Sequence, residues 1–88
     1  MEEFLRQIGI VPTGTISEDN CYVMNIADSN EYGKIYSVLD QCDEVSEDED
    51  SSFVTDEHSS IQYVNDEYTI TLLSNFDVDI YGLTVREN

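Results

Sequence analysis

IQYVNDEYTITLLSNFDVDIYGLTV, residues 61–85, decides how this chain folds. The runs 61–64, 67–73 and 76–85 are rich in β-branched and aromatic residues, and the polar pairs Asn65-Asp66 and Ser74-Asn75 lie between them. Such pairs make tight turns, and short links join antiparallel neighbours. The stretch therefore predicts a three-stranded antiparallel meander. In its third strand Phe76, Val78 and Ile80 share one face and are assigned to the core. Gly82 is read as a bulge that returns Leu83 and Val85 to that face. The same alternation turns Asp77 and Asp79 outward as a row spaced roughly 6.6–6.8 Å, with Tyr81 beside them.

Upstream, residues 2–9 read as a short helix carrying Phe4, Leu5 and Ile8 on one side, with Glu2 and Glu3 at its positive end. Gly9 and Pro12 end it. Residues 13–17 suit a strand, Glu18-Asp19-Asn20 a turn, and residues 21–27 a second strand with Tyr22, Met24 and Ile26 on one face. Asp28 or Ser29 then reads as an N-cap. Tyr32, Ile35, Tyr36, Leu39 and Cys42 follow at helical spacing, but residues 34–39 also alternate as a strand would, and Gly33 weakens a helix. Residues 43–52 form an acidic exposed loop or an extension of that helix, and Phe53-Val54 return to apolar character. The expected fold is α+β: an antiparallel sheet, made of the C-terminal meander and an N-terminal hairpin, under one or two covering helices. Residues 1–88 make a single compact domain.

Charge is the other decisive feature. Twenty Asp and Glu stand against three Lys and Arg, a formal charge of −17. Acidity of this degree marks disordered chains when apolar residues are few. Here they are 40%, with six Tyr and three Phe, so a folded domain is expected. Direct binding to nucleic acid or to an anionic membrane needs Lys and Arg that this chain lacks. The fitting partner is a protein with a basic surface, and many such surfaces exist to hold nucleic acid. Cys21 and Cys42 are too few for a disulfide scaffold and are expected as reduced thiols in a cytoplasmic protein, with a single bridge between them as the alternative. The N-terminal stretch has neither the apolar run of a signal peptide nor that of a membrane span.

Catalytic chemistry finds little support. The single His58 lies in a polar stretch without a nucleophile to serve. Four scattered glycines make no phosphate loop. Two Cys and one remote His lack zinc spacing, and the acidic run lacks the glycine and terminal glutamate of a helix-loop-helix calcium site. Neither a metal nor a cofactor is expected, and an enzyme is the weakest reading.

The acidic residues themselves form the constellation. Asp40, Asp43, Glu44, Glu47, Asp48, Glu49 and Asp50 are one block, Asp56 and Glu57 extend it, and Asp77 and Asp79 are a second element. On a continuous helix Asp40, Asp43, Glu44 and Glu47 would share a face, where like charges repel. An acidic run is ordinarily a solvated face, but solubility requires far less charge than this. Rows of carboxylates imitate a phosphate backbone and suit the Arg forks of a basic groove. Tyr81, with Tyr63 or Tyr68, is expected as a packing anchor.

In length, acidity and lack of a catalytic motif the chain resembles the small acidic inhibitors that phage and mobile elements direct at host defence. These include anti-CRISPR proteins, anti-restriction proteins and uracil-glycosylase inhibitors, several of them DNA mimics. The runs 40–50 and 77–79 look like mimic surfaces. The resemblance implies competition with nucleic acid for a CRISPR effector, restriction enzyme or repair enzyme, whose channels are positively charged. The alternative is an acidic adaptor or chaperone that shields basic proteins without inhibiting a particular enzyme. On either reading the pure protein should not retard duplex or single-stranded DNA in a gel at micromolar concentration and about 0.15 M salt. Retardation under those conditions contradicts both.

Overall fold

The computed structural model describes residues 1–88. The chain opens with α1 (Glu2–Gln7), whose first turn holds Glu2 and Glu3. It stops where Gly9 takes a φ of 96°, a conformation open to glycine at little cost. A hairpin of β1 (Thr15–Ile16) and β2 (Cys21–Ile26) follows. Its turn is closed by the Ser17 amide, which donates to the Cys21 carbonyl at 2.8 Å, and Asn20 there has a φ of 58°. Asp28 caps α2 (Ser29–Asp40) by accepting from the Glu31 amide at 2.9 Å. The segment that fitted either helix or strand is thus helical. Beyond it come β3 (Ser46–Glu47), one 3-10 turn (Glu49–Ser51), β4 (Phe53–Val54), β5 (His58–Val64), β6 (Tyr68–Asn75) and β7 (Ile80–Glu87).

The fold is α+β, a seven-stranded antiparallel sheet with two helices. The strand order is β1-β2-β7-β6-β5-β3, and β4 also pairs with β5. The meander β5-β6-β7 is present as expected, and β7 joins it to the hairpin by pairing with β2. Register lines up three rows across the four long strands: Tyr22-Val85-Ile70-Tyr63, Met24-Leu83-Leu72-Ile61 and Ile26-Tyr81-Ser74-Ser59. All twelve side chains are buried. Leu5 and Ile8 from the α1 region, Ile10, Tyr32 and Leu39 from α2, and Val45 complete the core over that face. The one polar row is satisfied internally. The Ser59 and Ser74 hydroxyls lie 2.6 Å apart, and the Tyr32 hydroxyl reaches Ser59 at 3.1 Å, which ties α2 to the sheet.

Several expectations are corrected. β6 runs on to Asn75, so the turn falls at residues 76–79 and the strand begins at Ile80. Phe76, Val78 and Ile80 are exposed, not core. Gly82 carries no bulge; the β6–β7 register is continuous, and Leu83 and Val85 share the core face with Tyr81. The reason is register: Asn75 pairs with Ile80, which leaves only four residues to turn the chain. The helix does not extend through Glu47, since α2 ends at Asp40. The acidic stretch also contributes to the core, because Val45 is buried within it. Cys21 and Cys42 are free and half-buried.

Tyr63 generates a test. It is 1% exposed, and its hydroxyl has no hydrogen-bond partner. Burial first, then Tyr36, Glu47, Asp40 and Tyr32, push its phenol far above the ordinary value. A pKa raised on folding gives stability that is constant below the unfolded value, about 10, and is lost as pH climbs above it. Tyr63→Phe removes that dependence and also the cost of burying an unpaired hydroxyl, about 1–3 kcal/mol. The variant should melt higher than the parent at pH 7, and its melting temperature should fall less steeply between about pH 9 and 11. Some decline remains, because Tyr36 and Tyr81 are also raised. A lower melting temperature, followed by circular dichroism, would show that the hydroxyl is engaged in the folded protein.

Candidate acidic binding surface

The acidic block is not a free loop. Residues 46–54 run antiparallel along the outer edge of β5, interrupted by the 3-10 turn. Ser46 and Glu47 pair with Val64 and Tyr63, while Phe53 and Val54 pair with Ser60 and Ser59. Between these pairings the Asp48 amide donates to the Gln62 carbonyl at 2.8 Å. The Ser52 hydroxyl donates to the Asp48 carbonyl at 2.8 Å and accepts from the Gln62 amide at 2.9 Å. A side chain thereby fills the gap in the ladder, and Glu49-Asp50 is thrown outward on a bulge held at both ends. Glu47, Glu49 and Asp50 are exposed there, and Asp48 is half-buried. Asp40 lies at the end of α2, and Asp43 and Glu44 are exposed in the turn that follows.

Between this edge and α2 lies a cleft of about 310 Å³, bounded by Tyr36, Phe53, Val54, Glu47 and Glu49. Burial first, then Asp40, Glu47 and Tyr32, raise the Tyr36 phenol above its ordinary value. Aromatic faces beside carboxylates are the chemical complement of a guanidinium or ammonium group.

The second element is placed differently from expectation. Asp77 and Asp79 lie in the β6–β7 turn and form no strand row. The Phe76 amide donates to the Glu57 carbonyl, which brings this turn against the one holding Asp56 and Glu57. These four carboxylates therefore share one end of the sheet. Tyr81 is 3% exposed and packs against Tyr32 and Phe76 with ring centroids 5.4 and 5.8 Å away. It is a core residue and not a partner anchor. Tyr63 is likewise buried, and Tyr68 stacks on Phe4 at 4.6 Å. The aromatic residues at the acidic edge are instead Tyr36 and Phe53.

Further carboxylates, Glu3, Asp66, Glu67 and Glu87, lie outside the constellation expected from the sequence. Glu3 and Glu67 border one depression at the opposite end of the sheet together with Glu44 of the acidic block, and Asp66 and Glu87 border the next. Only tertiary pairing brings these together, through Tyr68 opposite Glu87 and the Asn65 side-chain amide donating to the Glu44 carbonyl at 3.2 Å. The four long strands hold a single carboxylate, Glu87. The acidic charge thus forms a rim around an outward sheet face that carries no carboxylate and a single Lys or Arg residue, Arg86. Basic side chains barely intrude: the only ion pairs are Arg6 with Glu2 at 3.8 Å and Lys34 with Glu31 at 3.2 Å, both exposed. No three of the chain's His, Cys, Asp and Glu converge as metal ligands would. No helix is long and apolar enough to cross a membrane. Comparison with protein-family models, curated proteins and solved structures finds no match to this chain.

The two turn aspartates should separate on substitution. Asp79 has a φ of 53° and accepts the Tyr81 hydroxyl at 3.1 Å, so it serves the fold. Asp79→Ala should cost about 1–3 kcal/mol through the left-handed backbone and the lost charge-assisted bond. Asp77→Ala should stay within about 0.5 kcal/mol of the parent. Urea denaturation measures both, and equal costs would contradict the distinction.

Proposed function

We propose that this protein is a non-enzymatic inhibitor that occupies a basic, nucleic-acid-binding surface on another protein, such as a CRISPR effector, a restriction enzyme or a repair enzyme. The observation that carries the reading is the acidic edge along β5, a set of carboxylates held on a backbone-anchored bulge without any cation to neutralise them. Holding like charges together costs stability, whereas a basic groove would turn that cost into binding energy. Fixed carboxylates also lose less freedom on binding than a mobile acidic loop would. The cleft beside Tyr36 and Phe53 offers one arginine or lysine of the partner a seat between aromatic faces and carboxylates, which docking would close off from water. The carboxylates at the two ends of the sheet would act mainly by accelerating encounter.

The test uses a panel of purified CRISPR effectors, restriction enzymes and repair enzymes. One of them should form a stoichiometric complex with this protein and lose DNA or RNA in competition, with affinity that falls as salt rises. The triple change Glu47→Lys, Glu49→Lys and Asp50→Lys should weaken that complex by about a hundredfold or more, since each lost tenfold is about 1.4 kcal/mol. Its circular dichroism should match the parent's, as these side chains are exposed. A folded triple variant that inhibits as well as the parent would place the contact elsewhere. Comparable binding to many basic proteins, without displacement of nucleic acid, would favour the adaptor or chaperone instead.

A further inference from the structure

A cleft of about 610 Å³ lies on the opposite side of the sheet order from the acidic edge. It runs between α2 and the outer edge of β2, and Ile10, Val11, Ile26, Ile35 and Val38 supply its apolar walls. Val11 is 75% exposed, an unusual position for a valine beside a core.

The edge of β2 in this cleft lacks a partner strand. β1 pairs only with Tyr22 and Val23, and pairing stops there. Gly14 explains the stop. It lies so close to β2 that a Cβ on it would sit 1.9 Å from the Val23 carbonyl oxygen, and its amide donates to the Tyr22 hydroxyl at 2.7 Å. Residues 9–13, on its N-terminal side, make no bridge to β2; Gly9, Val11 and Thr13 instead line the cleft, with Gly9 within reach of Val38 on α2. The direction of the free groups follows from alternation. The Cys21 carbonyl accepts from Ser17 on the β1 side, so Cys21, Val23 and Asn25 turn their amides and carbonyls outward. The Asn25 and Ala27 backbones make no hydrogen bonds on that side. An open strand edge beside an apolar helix face is the arrangement to which an extended peptide adds as a further strand.

We infer that the groove between β2 and α2 binds an extended segment of a partner protein that pairs with Asn25 and Ala27 and carries lysine or arginine beside alternate apolar residues. The apolar side chains enter toward Ile35 and Val38. The basic ones meet Asp28 and Glu31 at the mouth, and the −17 field repels an acidic segment or a second copy of this chain. Lys34 pairs with Glu31 at 3.2 Å and offsets one of these charges, which leaves the cleft acidic through Asp28 and the overall field. This site is separate from the acidic edge and does not depend on it.

The probe is a synthetic peptide of sequence KVTVTVK, with EVTVTVE as its acidic counterpart, titrated into the isotopically labelled full chain and followed by amide NMR. KVTVTVK should shift the amides of Asn25 and Ala27 and the methyls of Ile35 and Val38, with a dissociation constant on the order of 0.1 mM. EVTVTVE should bind at least about tenfold more weakly. Asn25→Pro deletes the outward amide together with an exposed side chain, on a strand edge where proline is tolerated, and should weaken KVTVTVK by about tenfold or more, whereas Asn25→Ala, which keeps the amide, should bind it as the parent does. If the proline variant fails to fold, Glu31→Lys serves: it should weaken KVTVTVK and strengthen EVTVTVE. Shifts confined to residues 40–57, no shifts at about 1 mM peptide, or equal binding by the parent and the Asn25→Pro or Glu31→Lys variant would each overturn the inference.

Discussion

Mutual repulsion among carboxylates is the constraint that the rest of this molecule accommodates. Strands pair poorly when like charges face one another across a ladder. The four long strands avoid this by holding one carboxylate among them, at the very end of β7. Threonine, serine, asparagine and glutamine occupy many of the positions that face away from the helices. The sheet is thus a plate almost free of charge, with only Arg86 and Glu87 at the end of β7, and its own cohesion is little affected by the charge around it. Three buried rows of side chains supply that cohesion, and the Tyr32-Ser59-Ser74 hydroxyls fix how α2 lies across them.

The acidity is concentrated where backbone geometry, not side-chain pairing, holds it. Along β5 the chain returns twice to the ladder and is bridged by Ser52 in between. A bulge of this kind protects an exposed edge from pairing with another chain, and charged residues on it do so again. That protection alone accounts for some carboxylates at this edge, but not for those at both ends of the sheet. At the other edge the solution is incomplete. β1 covers two residues of β2 and no more, so the molecule has one guarded edge and one open edge.

Much of the fold is legible in the residues because local signals agree with the tertiary outcome. Asp28 before a helix, the alternation of Tyr22, Met24 and Ile26, and Asn65-Asp66 between two apolar runs each lead to one structure. The helix through Gly33 was ambiguous locally, since a glycine there costs about 1 kcal/mol. Burial of Tyr32 and Leu39 against the sheet decides it. The misplaced turn at 76–79 has a specific origin. Phe76, Val78 and Ile80 alternate as a core strand does, yet β6 claims Asn75, and Phe76 spends its ring on Tyr32 and Tyr81 from the turn itself. Asp77 and Asp79 changed roles because they fall in that turn, and Tyr81 because, with no bulge at Gly82, it alternates onto the core face with Leu83 and Val85. The acidic block was legible as charge, but its anchoring through Ser52 and Gln62 depends on residues ten apart whose meeting no local pattern announces.

The central position of β7 has a further consequence, for the order in which the molecule assembles. The meander closes through neighbours in sequence, whereas Cys21 must find Arg86 across nearly the whole chain. Contacts of such long separation carry a loop-closure cost that local ones do not. The hairpin of β1 and β2, too small to stand alone, has nothing to lie against until β7 is in place. The meander is therefore the natural template, and docking of the hairpin on β7 is the step that unites the two halves of the sheet under the helices.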